Sequence, residues 1–214
     1  MVYTESSPDI MLRAATADDM RACGSSIAKI MHSGDVIVLS GPLGAGKTTF
    51  SQGIGMGLDV EGAVVSPTFT IARELDGHYS DGSPAHLIHV DAYRLPGSDN
   101  DRSLQSQDPY NAKNRLLDEL ESLGLDEELE DPRPGTCILI EWGSAMASVL
   151  SDSRLEISIT RPVTSARTSD GFLSDGGERA VTLRPVGAAW DNRLGSLQQS
   201  LGPAAISGNY DRQR

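Results

Sequence analysis

Gly41-Pro-Leu-Gly-Ala-Gly-Lys-Thr48, entered through the apolar run Val36-Ile-Val-Leu39, decides the fold of this chain. The eight residues fit G-x-x-x-x-G-K-[ST], the phosphate-binding P-loop. Gly41, Gly44 and Gly46 lack Cβ atoms, so the loop can take positive-φ turns and bring its amides close to phosphate oxygens. Lys47 places a cation beside the β- and γ-phosphates, and the Thr48 hydroxyl suits Mg²⁺. A helix expected from Lys47 through Thr48-Thr-Phe-Ser-Gln52 turns its positive N-terminal end toward the same anion. A buried strand before the loop and a helix after it separate this pattern from an ordinary Gly-rich turn. These residues predict a nucleoside triphosphate as ligand.

Outward from the loop, 214 residues suffice for one well-buried core, and one domain is the default. No run approaches the roughly 20 apolar residues of a membrane helix. Met1-Val-Tyr-Thr-Glu-Ser-Ser-Pro-Asp9 has neither the basic start nor the apolar centre of a secretion signal. Cys23 and Cys137 sit among apolar neighbours and read as buried free thiols, which suits a cytoplasmic protein. The net charge of −12 argues against a broad grip on a nucleic-acid backbone. Much of it lies in residues 98–133, eleven acids against four bases, a stretch suited to a solvated face or to a basic partner.

The spacing predicts a poorly ordered leader over 1–15, with a short strand at Ile10-Met-Leu12. A helix capped by Thr16 or Asp18 should follow and run through His32, with Met20, Cys23, Ile27 and Ile30/Met31 on its apolar stripe. The P-loop helix should reach about Met56, its end weakened by Gly53, Gly55 and Gly57. Val64 to Glu74 alternates, is rich in β-branched residues and reads as a strand entered through Ser66-Pro67-Thr68. Asp76 to Pro84 reads as a turn region. His86-Leu-Ile-His-Val-Asp91 and Thr136-Cys-Ile-Leu-Ile-Glu141 read as buried strands. Arg154–Thr160 and Arg179–Arg184 should pair as a late antiparallel edge. Long surface loops are expected over 96–112 and 163–178, and short helices over 114–123 and 145–150. The P-loop domain thus spans 16–186, and 187–214 forms a C-terminal extension with a helix near Trp190 to Leu201. The fold class expected is α/β, a three-layer P-loop NTPase type with a mostly parallel central sheet.

Two of these strands finish in acids. Ligands of doubly wound sheets sit beyond the carboxyl ends of the strands. Asp91 fits the acid that P-loop enzymes carry after an apolar strand to hold Mg²⁺, directly or through water. Glu141 is a second oxygen donor of that kind, backed by Trp142 and Gly143. A single such acid would as readily cap a turn; two beside a P-loop favour metal and water handling. Thr68, within Ser66-Pro-Thr-Phe-Thr70, occupies the place of a γ-phosphate-sensing switch. Arg94 could touch phosphate or tie down a loop, and His89 reads as a core or orienting residue. No Asn-Lys-x-Asp guanine reader occurs, which favours ATP over GTP.

Gly41-Pro-Leu-Gly-Ala-Gly-Lys-Thr-Thr49, Ser66-Pro-Thr-Phe-Thr70, His89-Val-Asp-Ala-Tyr-Arg-Leu95 and Ile140-Glu-Trp142 together resemble the bacterial TsaE family. The resemblance spans about residues 17–185. It implies a Mg²⁺-dependent ATPase, slow when alone, that acts in tRNA threonylcarbamoyladenosine synthesis at adenosine 37. It further implies TsaB and TsaD as protein partners, whose turnover the ATPase supports, with tRNA met indirectly through them. Carried over, Gly44, Ala45, Gly46, Lys47, Thr48 and Thr49 would wrap the phosphates, and Thr48 and Glu141 would hold Mg²⁺. Asp91 would position metal-bound or attacking water, Thr68 would belong to the switch, and Arg179 would stand near the nucleotide. Pro42 replaces a commonly acidic residue, and Met20 replaces a frequent threonine. The rival reading is a small-molecule kinase, because Asp91-Ala-Tyr-Arg94 also matches the acid-plus-arginine end of nucleoside kinases.

Overall fold

The computed structural model describes residues 9–94, 118, 121–122, 124, 131–144, 147, 151–161, 177–201 and 206–207. The loop expected over 96–112, and that over 163–178 but for its last two residues, lie outside them. So do most residues of the helices expected over 114–123 and 145–150. Among the described residues the strands are β1 (Ile10–Ala14), β2 (Val36–Ser40), β3 (Ala72–His78), β4 (Pro84–Asp91), β5 (Thr136–Glu141), β6 (Arg154–Thr160), β7 (Arg179–Val186) and β8 (Ile206–Ser207). The α-helices bounded within the described residues are α1 (Ala17–Ala28), α2 (Lys47–Gly57), α3 (Ala188–Asp191) and α4 (Leu194–Leu201).

All eight strands join one sheet in the order β3-β4-β5-β2-β6-β7-β1-β8. The central four, β4, β5, β2 and β6, run parallel. β3 closes one side antiparallel, and β7, β1 and β8 alternate on the other. The expected α/β class, with its parallel centre and antiparallel flank, is the one found. β2 and β5 are buried nearly throughout, as parallel strands covered on both faces must be. Ile37, Leu39 and Leu139 pack with Phe50 and Ile54 of α2 and Met20 and Ile27 of α1 on one face. Val36, Val38, Ile88, Val90, Ile138 and Ile140 form the core of the other face, with Ala147.

Thr16 caps α1 through a reciprocal pair: its Oγ1 accepts from the Asp19 amide at 3.0 Å, and the Asp19 carboxylate accepts from the Thr16 amide at 2.9 Å. The helix ends at Ala28, four residues before His32. α1 lies directly on α2. A Cβ on Gly24 would come within 2.3 Å of the Phe50 carbonyl oxygen, and one on Gly53 within 2.1 Å of that of Arg21. The late glycines of α2 therefore serve close approach as well as ending the helix.

Three sequence expectations change. The strand read at 64–74 begins only at Ala72 and runs to His78, so the turn shrinks to Tyr79–Ser83. Residues 63–71 instead form a loop folded by Thr70 and Ile71 amides donating to the Pro67 carbonyl at 2.9 and 2.6 Å. Their alternation was a local pattern, and Pro67 withholds the amide a ladder needs. The short strand expected at Ile10-Met-Leu12 is present and reaches Ala14, but instead of sitting in a poorly ordered leader it pairs with β7, its Ile10, Leu12 and Ala14 buried. β7 is consequently interior rather than an edge. In the segment expected to be an extension, Trp190 and Leu197 belong to the core, and β8 pairs with β1. Arg193 ties it down, donating to both Asp35 oxygens at 2.6 and 2.7 Å while its guanidinium lies 3.9 Å over the Trp190 ring.

Neither cysteine forms a disulfide. Cys137 is buried, and burial pushes its thiol up to about 12.

Candidate functional site: a P-loop cavity between two carboxylates

β2 ends at Ser40 and the chain turns through the glycine loop into α2. Gly41, Gly44 and Gly46 take φ of +137°, +73° and +109°, backbone that side chains resist. The loop, the carboxyl ends of β4 and β5, and the loop over 63–71 enclose a cavity of about 510 Å³. From the P-loop and α2, Gly44, Gly46, Lys47, Thr48 and Thr49 line it. Asp91 and Glu141 line the strand-end wall, with Tyr93 and Trp142 beside them, and Ser66 and Thr68 come from the loop. Arg161 and Arg179 stand on the β6–β7 side.

Gly41 and Ala45 do not reach this wall. Gly41 passes against β6, where a Cβ would meet the Ile159 carbonyl oxygen at 2.2 Å. Ala45 is buried, and its amide donates to the Pro42 carbonyl at 3.1 Å. Lys47 is buried too. Its Nζ donates to the carbonyls of Gly41 at 2.7 Å and Pro42 at 3.3 Å and lies 3.3 Å from the Trp142 ring centroid. Trp142 holds a left-handed φ of +66°, and Tyr93 packs edge-on against its ring at 5.1 Å. A bulky side chain in that conformation stores about 1–3 kcal/mol of strain. Arg94 lies outside the cavity wall, its guanidinium 5.2 Å over the exposed Phe69 ring.

β4 and β5 are neighbours in a register that sets Asp91 opposite Glu141. Glu141 is 2% exposed. Its Oε1 accepts from Ser51 Oγ at 2.8 Å and faces His89 Nε2 at 3.0 Å; its Oε2 accepts from Thr48 Oγ1 at 3.3 Å. Asp91 Oδ2 accepts from Ser66 Oγ at 2.8 Å and Thr68 Oγ1 at 2.5 Å, and Oδ1 from the Tyr93 amide at 3.0 Å. Thr48, Glu141 and Asp91 thus present hydroxyl and carboxylate oxygens only, the donor type hard divalent cations take. Among the described residues, no three His, Cys, Asp or Glu side chains converge as a metal cluster.

Residues 14–169 match the family described as Threonylcarbamoyl adenosine biosynthesis protein TsaE. The chain belongs to the TsaE family. The Streptomyces coelicolor tRNA threonylcarbamoyladenosine biosynthesis protein TsaE is 41% identical over 171 residues, 80% of this chain and 93% of the relative. The Bacillus subtilis protein of the same name is 33% identical over 179 residues, 84% and 87% of the two chains. The crystal structure of Bacillus subtilis YdiB superposes with a TM-score of 0.59 at 29% identity, covering 89% of this chain and 95% of that one. The TsaE membership inferred from four short motifs therefore holds over most of the domain.

In this TsaE-family chain, sequence reasoning overlooked Ser51 and Arg161. Ser51 lies one helical turn after Lys47, on the face that meets Glu141, and that spacing is plain in the sequence alone. Arg161 follows the last residue of β6, beyond the carboxyl end of a parallel strand, and its Nη2 donates to the Gly44 carbonyl at 2.6 Å. Arg179 reaches the cavity from the start of β7 and donates to the Gly177 carbonyl. No helix among the described residues is long and apolar enough to cross a membrane.

Proposed function

We propose that this chain is a Mg²⁺-dependent ATPase that supports turnover of a TsaB–TsaD complex modifying tRNA adenosine 37 to the threonylcarbamoyl derivative. One observation carries the reading: a positive-φ glycine loop with Lys47 faces two carboxylates across a single cavity. The relatives' printed role in tRNA threonylcarbamoyladenosine biosynthesis supports the pathway. The cavity falls within the usual ligand range of about 300–1,000 Å³. The all-oxygen set of Thr48, Glu141 and Asp91 fits Mg²⁺, with phosphate and water completing a shell that two carboxylates leave open.

Triphosphate would draw Lys47 from the Gly41 and Pro42 carbonyls toward its β- and γ-oxygens, leaving the loop amides and the start of α2 to share the anion's charge. Bound Mg²⁺ supplies neutralisation of charge developing on the phosphate oxygens. Asp91, meeting the cation through water, would orient the attacking water and accept its proton once Ser66 and Thr68 release Oδ2, as the water oxygen bonds the γ-phosphorus and the bridging bond to the departing ADP breaks. Until then both hydroxyls occupy that oxygen, which favours slow turnover by the isolated chain. The absence of a guanine-reading tetrad keeps ATP ahead of GTP.

Reconstitution with TsaB, TsaD, tRNA and ATP tests the reading. Unaltered protein should give many modified tRNAs per complex, whereas Lys47→Ala, losing a charge-stabilising donor worth about 10²–10³ in rate, should stall after about one round. Equal multiple turnover by Lys47→Ala would refute it. Phosphate transferred to an added nucleoside, rather than released, would select a kinase instead.

A further inference from the structure

Behind Glu141, on its interior side, lies a histidine with no part in the chemistry proposed for the cavity. His89 is wholly buried on β4, two residues before Asp91, and its Nε2 stands 3.0 Å from Glu141 Oε1. Among the described residues, its Nδ1 is buried without a hydrogen-bond partner. An ionised carboxylate only accepts, so the ring must donate through Nε2. A hydrogen on Nδ1 would be a buried, unsatisfied donor, whereas a bare lone pair there costs less. Donation from Nε2 to the Glu141 carboxylate is the arrangement this geometry favours, and a strand packed on both faces holds the ring in one orientation.

Ser51, also wholly buried, brings a second donor to the same oxygen at 2.8 Å, its single hydroxyl hydrogen spent there rather than on the Lys47 carbonyl 3.1 Å away. Two rigid elements thus saturate Oε1 from the interior. Oε2 has the longer 3.3 Å contact to Thr48, which lines the cavity with Glu141. We propose that His89, seconded by Ser51, is a positioning residue that fixes the Glu141 carboxylate so that a single oxygen, Oε2, meets a divalent cation beside Thr48. This rests on Glu141 acting as a cation ligand. Outer partners of that kind hold ligand orientation, and their loss commonly costs 10–100-fold in metal affinity.

The test measures Mn²⁺ binding to the ADP-loaded protein by electron paramagnetic resonance, and metal-free ADP affinity by calorimetry. Unaltered protein is compared with Glu141→Gln, His89→Leu, His89→Gln and Ser51→Ala. His89→Leu should weaken Mn²⁺ by at least about 10-fold while metal-free ADP affinity stays unchanged. His89→Gln, whose amide reaches the Nε2 position, should restore most of the loss, and Ser51→Ala should shift Mn²⁺ affinity the same way by less. If Glu141→Gln leaves Mn²⁺ affinity intact, the cation-ligand reading fails and this inference with it. If Glu141→Gln abolishes binding but His89→Leu does not weaken it, the inference alone fails. Should His89→Leu not fold, the unaltered protein still decides: ring ¹⁵N shifts of His89 must show a hydrogen on Nε2. A bare Nε2, unable to donate to Glu141, overturns the proposal.

Discussion

The two carboxylates of the cavity stand side by side in the sheet, yet they are held in opposite ways. Glu141 receives its hydrogen bonds from Ser51 and Thr48 on α2 and His89 on β4, elements packed into the core. Asp91 receives two of its three from Ser66 and Thr68, on a loop whose Phe69 is 87% exposed and whose Val65 is 45% exposed. The difference separates a preset half from an adjustable half. Replacing the partners of Glu141 requires moving a helix or a strand, whereas replacing those of Asp91 requires moving two hydroxyls on a surface loop. If the site admits and releases a nucleotide as proposed, that division serves it, because the adjustable half can respond without disturbing the core.

Removing each carboxylate in turn is the most direct way to break the comparison. Glu141→Ala leaves the buried His89 donor without its acceptor, at roughly 1–3 kcal/mol, and sends the Ser51 hydroxyl back to the Lys47 carbonyl 3.1 Å away. Asp91→Ala strands partly buried hydroxyls that water can reach, and should cost clearly less. Urea melts giving equal losses for the two would show that the halves are equally preset. Gly53→Ala strikes the support of the preset half, since its Cβ would sit 2.1 Å from the Arg21 carbonyl oxygen. Overpacking of that kind costs about 1–3 kcal/mol, and ADP affinity should fall with it as α2 shifts. Unchanged stability in calorimetric melts would mean that α1 does not brace α2.

The smallest effect concerns the start of α1. The Thr16 hydroxyl and amide hold the Asp19 carboxyl below its ordinary range. A depressed carboxyl stabilises the fold above its unfolded titration and loses that contribution as pH falls through its folded one. Asp19→Asn should therefore flatten part of the acid limb of the stability–pH curve and leave neutral-pH nucleotide affinity alone. An unaltered acid limb would show that the Asp19 cap carries no pH-dependent stability.

The sequence itself reached the site where short-range chemistry writes it. The glycine loop, the N-terminal signal at Thr16, and the apolar runs ending in Asp91 and Glu141 are each set by neighbours along the chain. The loop at 63–71 was misread because Val64 to Glu74 has the alternation of a strand. Its fate was settled by the Pro67 turn and by Ser66 and Thr68 bonding to Asp91, 25 and 23 residues away.

Residues close together in the chain thus specify a P-loop in an α/β fold and two acids at strand ends. Only the tertiary structure decided that β4 and β5 lie side by side with Asp91 opposite Glu141, and that β1 and β8 extend the sheet beyond β7. It also decided that Glu141 is gripped from within by Ser51 and His89. Local propensity and periodicity depend on residues a few positions apart. Strand order, register and buried partners depend on which surfaces can be desolvated together, and that is settled only when the whole chain packs.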